Sequence, residues 1–154
     1  MSAIPNRTMP PASVIPVLVY ADVGRASDWL CQVFGFTERW RAGHHRAQLV
    51  FGNGAVVLGE ARIAKPQESA EPRESAPARP GVASHSLIVC VDDVAAHHEH
   101  ARSLGATILR APVDFPYGER QYSALDIGGH QWTFSQSIAD VAPEEWGGTS
   151  SALG

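Results

Sequence analysis

The sequence of 154 residues has few cysteines, a modest share of charge and no long apolar run. Its two cysteines, Cys31 and Cys90, stand far apart, so we expect no disulfide framework and infer a reducing, cytoplasmic setting. No apolar run approaches the roughly 20 residues of a membrane-spanning helix. The first residues, MSAIPNRTMPP, lack the apolar core of an export signal. We therefore expect no membrane partner.

The sequence also lacks a surplus of positive charge. It carries 12 basic and 16 acidic residues, for a net charge of −4. A dedicated nucleic-acid binder normally shows a basic stripe or excess, so this class is not expected. With 44% hydrophobic and 18% charged residues, the composition is that of an ordinary folded protein. The length suits one compact domain or two small modules.

The first half of the chain predicts a strand, a helix and three more strands. Residues 1–13 carry three prolines and no periodicity, and we interpret them as a flexible arm. Asp22 stands where a helix N-cap belongs, and apolar residues at helical spacing follow as far as Gly35. The Asn53-Gly54 pair predicts a hairpin turn. Strands are predicted at residues 14–20, 37–41, 47–51 and 55–60.

The second half repeats this pattern after a proline-rich segment, residues 62–82, which we interpret as a linker, with a mobile flap as the alternative. Asp93 again precedes a helix, which Gly105 ends. The result is a repeat of roughly 60 residues, with modules at 14–61 and 83–138 and a tail at 139–154. Strands are predicted at residues 86–91, 107–110, 121–125 and 130–136.

Three segments in this order resemble a known family. They are VLVYADVGRASDWLCQVFGF, SLIVCVDDVAAHHEHARSLGATI and YGERQYSALDIGGHQWTFSQ. Together they resemble the vicinal oxygen chelate superfamily, also described as the glyoxalase, bleomycin-resistance and ring-cleaving dioxygenase group. The resemblance covers residues 14–136 and departs at Asp126-Ile127, where the usual proline is absent. It implies an α+β fold with two βαβββ modules that form an open curved sheet around a cleft.

The resemblance further implies a divalent metal held by His, Gln or Glu on each module's first strand and by Glu on each last strand. Such oxygen and imidazole donors leave positions open for substrate oxygens. The corresponding positions here hold residues that are not those ligands, so we expect no metal and no cofactor. These positions are Ile15, Leu58, Ser86 and Thr133.

Two alternative sites stay open. His85 lies one residue from a ligand position, and a local bulge would let it join Glu60 in a displaced metal site. Tyr122 and Glu60 would form a metal-free acid–base pair if they met. The remaining histidine clusters are interpreted as structural or surface residues. They comprise His44, His45, His97, His98 and His100.

Alternation along the predicted strands gives a mostly apolar cleft with a few polar groups, as small-molecule pockets usually have. Thr133 is predicted to face this cleft together with Arg120 and Tyr122, while Trp132 and Phe134 pack against helices. Arg120 would recognise a carboxylate or phosphate, and Glu60 a cation. The predicted ligand-binding residues are Trp40, Phe51, Leu58, Glu60, Ser86, Phe115, Tyr117, Arg120, Tyr122 and Thr133.

These features favour a metal-independent binding protein of the bleomycin-resistance kind, which holds an aromatic drug or metabolite. The resemblance implies a homodimer in that branch. The alternative is an enzyme, either a metal-dependent lyase, isomerase or dioxygenase or a metal-free catalyst. A third possibility is an interaction module without a ligand.

Overall fold

The computed structural model describes residues 4–61 and 84–151, so the predicted linker at 62–82 lies outside the described residues. The chain forms two compact units, Met1–Val82 with Ile127–Gly129 and Ala83–Asp126 with His130–Gly154. Each unit contains one mixed four-stranded sheet and a helical segment, which confirms the α+β class. Within the described ranges, no helix is long and apolar enough to cross a membrane.

The first unit follows the predicted order of strand, helix and three strands. Its sheet has the order β1-β4-β3-β2, with β1 parallel to β4 and the other pairs antiparallel. The Asp22 carboxylate caps α1 by accepting from the Arg25 amide, and Gly35 ends the helical segment with a φ of 86°. The elements are β1 Val17–Tyr20, α1 Val23–Trp29, a π-helical continuation Leu30–Phe34, β2 Thr37–Ala42, β3 Arg46–Phe51 and β4 Gly54–Glu60.

The second unit has the same topology. Its sheet has the order β5-β8-β7-β6, with β5 parallel to β8. Asp93 caps α2 by accepting from the Ala96 amide, and Gly105 follows the helix with a φ of 87°. The elements are β5 Leu87–Cys90, α2 Val94–Ser103, β6 Thr107–Phe115, β7 Glu119–Leu125, β8 Gln131–Ser137 and a 3-10 turn Pro143–Glu145.

The two units share even a local irregularity of the sheet. In β2 the register shifts between Glu38 and Trp40, and in β6 it shifts between Ile108 and Arg110 and again between Arg110 and Val113. The shift in β2 and the first shift in β6 each add one residue at the same distance from the start of the strand. Trp40 and Arg110 therefore occupy corresponding positions after the bulge, and strand alternation alone would misplace both.

The hairpin between β3 and β4 is confirmed, but its turn lies one residue earlier than predicted. Phe51 pairs with Gly54, so the two turn residues are Gly52 and Asn53 rather than Asn53 and Gly54. Gly52 has a φ of 55°, which glycine adopts without the steric cost of a Cβ atom. A glycine at the first turn position suits the twist of the flanking strands.

Candidate functional site

The β7–β8 register decides which side chains of the second unit share a face. Tyr122 pairs with Phe134, and Ser123 pairs with Thr133. The Tyr122 hydroxyl lies 2.5 Å from Nδ1 of His97 on α2, so Tyr122 faces the helix. The prediction that Arg120 and Tyr122 share a face with Thr133 is wrong. Five residues, 126–130, separate the paired ends of the hairpin, and this odd number shifts the alternation by one relative to a two-residue turn.

In the first unit, three predicted cleft residues lie on the helix side. The Phe51 ring centroid is 5.4 Å from that of Phe36, which follows the helical segment, and Leu58 is completely buried. Glu60 shares this face by alternation, and its Oε2 lies 2.5 Å from Nδ1 of His45. Placing Phe51, Leu58 and Glu60 in the cleft was therefore wrong.

The cause is the pairing of the parallel strands. Val17 of β1 pairs with Val57 of β4, and Leu18 pairs with Leu58. Neighbouring residues in a strand point to opposite sides, so Val17 and Leu58 lie on opposite faces. We call the side of each sheet away from its helix the helix-free face.

The helix-free face of the first unit contacts the N-terminal arm. The Thr8 carbonyl accepts hydrogen bonds from Nε1 of Trp40 at 3.3 Å and from Nε2 of Gln48 at 3.0 Å. The Arg7 carbonyl accepts a third from Arg39 at 3.1 Å. Trp40, predicted to rim the cleft, thus lies on the helix-free face and binds the chain's own backbone.

The helix-free face of the second unit carries a row of polar side chains. The hydroxyls of Ser123 and Thr133 are 2.9 Å apart. Ser135 donates to Oε1 of Glu119 at 2.5 Å, and Gln121 donates to the same oxygen at 3.2 Å. Gln121, Ser123, Thr133 and Ser135 are buried, and these bonds satisfy and fix their side chains at the centre of the sheet.

Aromatic rings flank this polar row at the end of β6. Phe115 and Tyr117 are stacked, with centroids 5.2 Å apart and an interplanar angle of 12°. Trp146, from the predicted tail, makes an edge contact with Tyr117 at 5.6 Å and is 43% exposed. The Arg110 guanidinium lies over the Phe115 ring, 4.9 Å from its centroid. We call Arg110, Phe115, Tyr117 and Trp146 the aromatic cluster.

The other predicted binding residues of the second unit lie apart from this cluster. Ser86 is exposed and precedes β5. Arg120 pairs with Gln136, whose side chain caps α2, so it lies toward the helix side. Its guanidinium bonds Asp114 at 2.6 Å and lowers the pKa of that carboxyl group. Arg120 is therefore engaged by an internal partner.

The strands that hold the metal in the resembled family carry no matching donor set here. Across the described residues, no group of three or more His, Cys, Asp or Glu side chains is placed to hold a metal ion. The residues present therefore do not fit the metal that the resemblance implied. By register, the helix-free positions of β1, β4, β5 and β8 hold Val17, Val19, Val57, Gly59, Ile88, Cys90, Thr133 and Ser135.

The alternative pairs involving Glu60 gain no support from their surroundings. Glu60 bonds His45 within its own unit, and His85 lies 3.3 Å from the Ser84 hydroxyl within the other. Tyr122 is completely buried, and this burial raises the pKa of its hydroxyl. A hydroxyl that is buried against α2 is poorly placed to exchange a proton with a ligand.

Four residues of this face escaped sequence reasoning: Arg110, Glu119, Gln121 and Ser123. The β6 bulge and the odd hairpin loop hid them, because each shifts the alternation by one residue. The internal repeat held one usable signal. When Thr37 is aligned with Thr107, Arg110 falls at the position that corresponds to Trp40, one of the predicted ligand-binding residues.

Comparisons with known proteins agree with this architecture. A model of the Glyoxalase/Bleomycin resistance protein/Dioxygenase superfamily matches residues 12–134. The chain belongs to this superfamily. Curated proteins similar to this chain include uncharacterised proteins of Mycobacterium bovis and Mycobacterium tuberculosis, each 27% identical over 134 residues. The match covers 84% of this chain and 86% and 77% of those proteins, respectively.

Solved structures of the superfamily extend the comparison. TioX from Micromonospora sp. ML1 is 32% identical, with a TM-score of 0.63 over 81% of this chain and 98% of TioX. A lactoylglutathione lyase from Agrobacterium tumefaciens has a TM-score of 0.61 at 16% identity, over 84% of this chain and 96% of the lyase. At that identity the lyase shares the glyoxalase/bleomycin-resistance fold, and its activity does not transfer.

Proposed function

We propose that this superfamily member binds an aromatic small molecule, without a metal, on the helix-free face of its second unit. The observation that carries the proposal is the aromatic cluster, whose Phe115 pairs in the register with Glu119 of the polar row. A planar ligand would stack on these rings, of which Trp146 is exposed and Phe115 and Tyr117 are half-buried, and the polar row would orient it. Small-molecule sites commonly combine apolar walls with a few placed polar groups.

The rings of the cluster are suited to this role by their arrangement. Tyr117 lies between Phe115, on which it stacks, and Trp146, with which it makes an edge contact. Ring–ring contacts contribute about 0.5–1.5 kcal/mol beyond the area they bury. Since Tyr117 touches both neighbours, we expect it to contribute most to ligand binding.

The side-chain chemistry supports binding without a metal. The helix-free positions of the four strands that hold metal in the resembled family offer hydroxyls and one thiol, Cys90, but no imidazole or carboxylate. Hydroxyls alone are weak ligands for the transition metals of that chemistry. The same argument disfavours a metal-dependent lyase or dioxygenase activity.

Calorimetric titration of the protein with 1-naphthamide, a neutral planar probe, tests the proposal. We expect binding that is unchanged by EDTA and is weakened about tenfold by Tyr117→Leu, because stacking is lost. Phe51→Leu is the matched control, since Phe51 packs against Phe36 on the helix side. Binding abolished by EDTA, or equal in wild type and Tyr117→Leu, would refute the proposal.

A further inference from the structure

We propose that the ligand of this face is an aromatic acid, whose anionic group is bound by Arg110. This inference rests on the proposed function and specifies that the ligand is negatively charged. The chemistry is that of a planar ring bearing a carboxylate, sulfonate or phosphate. Arg110 is the cation of the aromatic cluster, and it lies beside Ser123 on the helix-free face.

Arg110 differs from the other two arginines of the second unit in having no acidic partner. Arg102 bonds Glu99, and Arg120 bonds Asp114. Within the described part of the chain, no carboxylate lies at salt-bridge distance from Arg110, and its side chain is exposed. A guanidinium has five N–H donors, and those of Arg110 are available to a ligand.

The position of Arg110 is fixed by the backbone and by one ring. The β6 bulge turns Arg110 onto the helix-free face, where it pairs with Ser123. Its contact with Phe115 places the guanidinium over an aromatic ring, which takes up none of its N–H donors in a conventional hydrogen bond. A guanidinium held in this way keeps its in-plane donors for bidentate bonds to a carboxylate or phosphate. The ring that would stack the ligand and the cation that would bind its anion are thus adjacent.

The polar row also contains the Glu119 carboxylate, which is held toward β8 rather than toward Arg110. Glu119 pairs with Phe115 in the register, but its Oε1 accepts bonds from Ser135 and Gln121. These bonds hold the carboxylate oxygen toward β8, whereas Arg110 lies on β6. The face is therefore basic at β6 and acidic toward β8, and an anion would be bound at the β6 end.

The test compares probes that share one ring system and differ in charge. Calorimetry would measure 1-naphthoate, 1-naphthalenesulfonate, 1-naphthyl phosphate, neutral 1-naphthamide and cationic 1-naphthylmethylammonium on the full chain. We expect at least one anion to bind about tenfold or more tightly than the amide, as a charge-assisted bidentate contact predicts. The cation should bind no better than the amide. The rank order of the three anions identifies the acid group.

Two variants separate this inference from the proposed function. Arg110→Gln should remove the preference for anions and leave the affinity for 1-naphthamide unchanged. Arg120→Gln is the matched control and should keep the preference, because Arg120 is bonded to Asp114. A preference that survives Arg110→Gln, or 1-naphthamide binding without any preference, refutes the aromatic-acid inference alone. If no probe binds, both proposals fail.

Discussion

The helix-free faces of the two units share one backbone and differ in chemistry. Each results from the same topology and the same bulge in the first strand after the helix. The first face is largely apolar, and its donors bond the arm, whereas the second carries a buried polar row and a partly exposed aromatic cluster. The register aligns Trp40 with Arg110, Gln48 with Ser123, Val57 with Thr133 and Val17 with Ile88.

Under the proposed function, this difference lets one repeat supply a structural face and a binding face. In the first unit, Trp40 and Gln48 donate to the Thr8 carbonyl, so their polar groups are satisfied internally. In the second, Arg110 retains donors for an external partner. The fold alone therefore does not decide where a ligand binds, because the side chains at matched positions do.

The largest effect on stability should come from substitutions in the core on the helix side of each sheet. The comparison predicts that these two cores are equivalent. Leu58 and Phe134 occupy matched positions and are completely buried. We expect Leu58→Ala to lower the free energy of unfolding by about 2–5 kcal/mol and Phe134→Ala by about 3–5 kcal/mol. Denaturant titration measures both. A neutral Leu58→Ala would restore Leu58 as a cleft residue.

A smaller effect is expected at the two helix starts. Asp22 and Asp93 each cap a helix by accepting from an amide three residues ahead. Asp22→Ala and Asp93→Ala should each cost about 1 kcal/mol of stability. Asp92→Ala is the control, because Asp93 is the residue that caps α2. A cost confined to one module would show that the repeats are not equivalent at this point.

The N-terminal arm bonds Trp40 and Gln48 of the first unit, so a substitution there should affect the release of the arm. Gln48→Met removes one donor to the Thr8 carbonyl. Loss of this hydrogen bond should cost about 1 kcal/mol and raise the fraction of molecules with a released arm about fivefold. Limited trypsin digestion would report this as faster cleavage after Arg7. Ser123→Ala changes the matched residue of the other module and should leave that rate unchanged. Equal rates in Gln48→Met and wild type would contradict a docked arm.

The smallest effect concerns the Asp114–Arg120 pair. Arg120 lowers the folded-state pKa of Asp114 below its ordinary value. The pair therefore stabilises the fold above the ordinary pKa, and this contribution is lost as the pH falls through the lowered value. Arg120→Gln should raise the pKa of Asp114 toward its ordinary value, as measured by NMR titration. An unchanged Asp114 pKa would show that the pair does not form in solution.

The sequence was sufficient for the modules but not for their faces. Local signals such as the Asp22 and Asp93 caps and the closing Gly35 and Gly105 depend on neighbouring residues, and the structure contains each as predicted. The faces depend on pairing between distant strands, where one bulge or one odd loop reverses every later assignment. The homodimer, the cytoplasmic location and the identity of the ligand stay predictions, because the contacts within one chain do not bear on them.

The most direct test of the central claim is an NMR titration of the ¹⁵N-labelled protein with 1-naphthamide. If the ligand binds the helix-free face of the second unit, the largest amide shifts will cluster around Arg110, Phe115, Tyr117 and Ser123. Amides near Phe51 and Leu58 should stay unchanged, since those side chains face a helix. Shifts that cluster around Phe51, Leu58 and Glu60 instead would contradict the account.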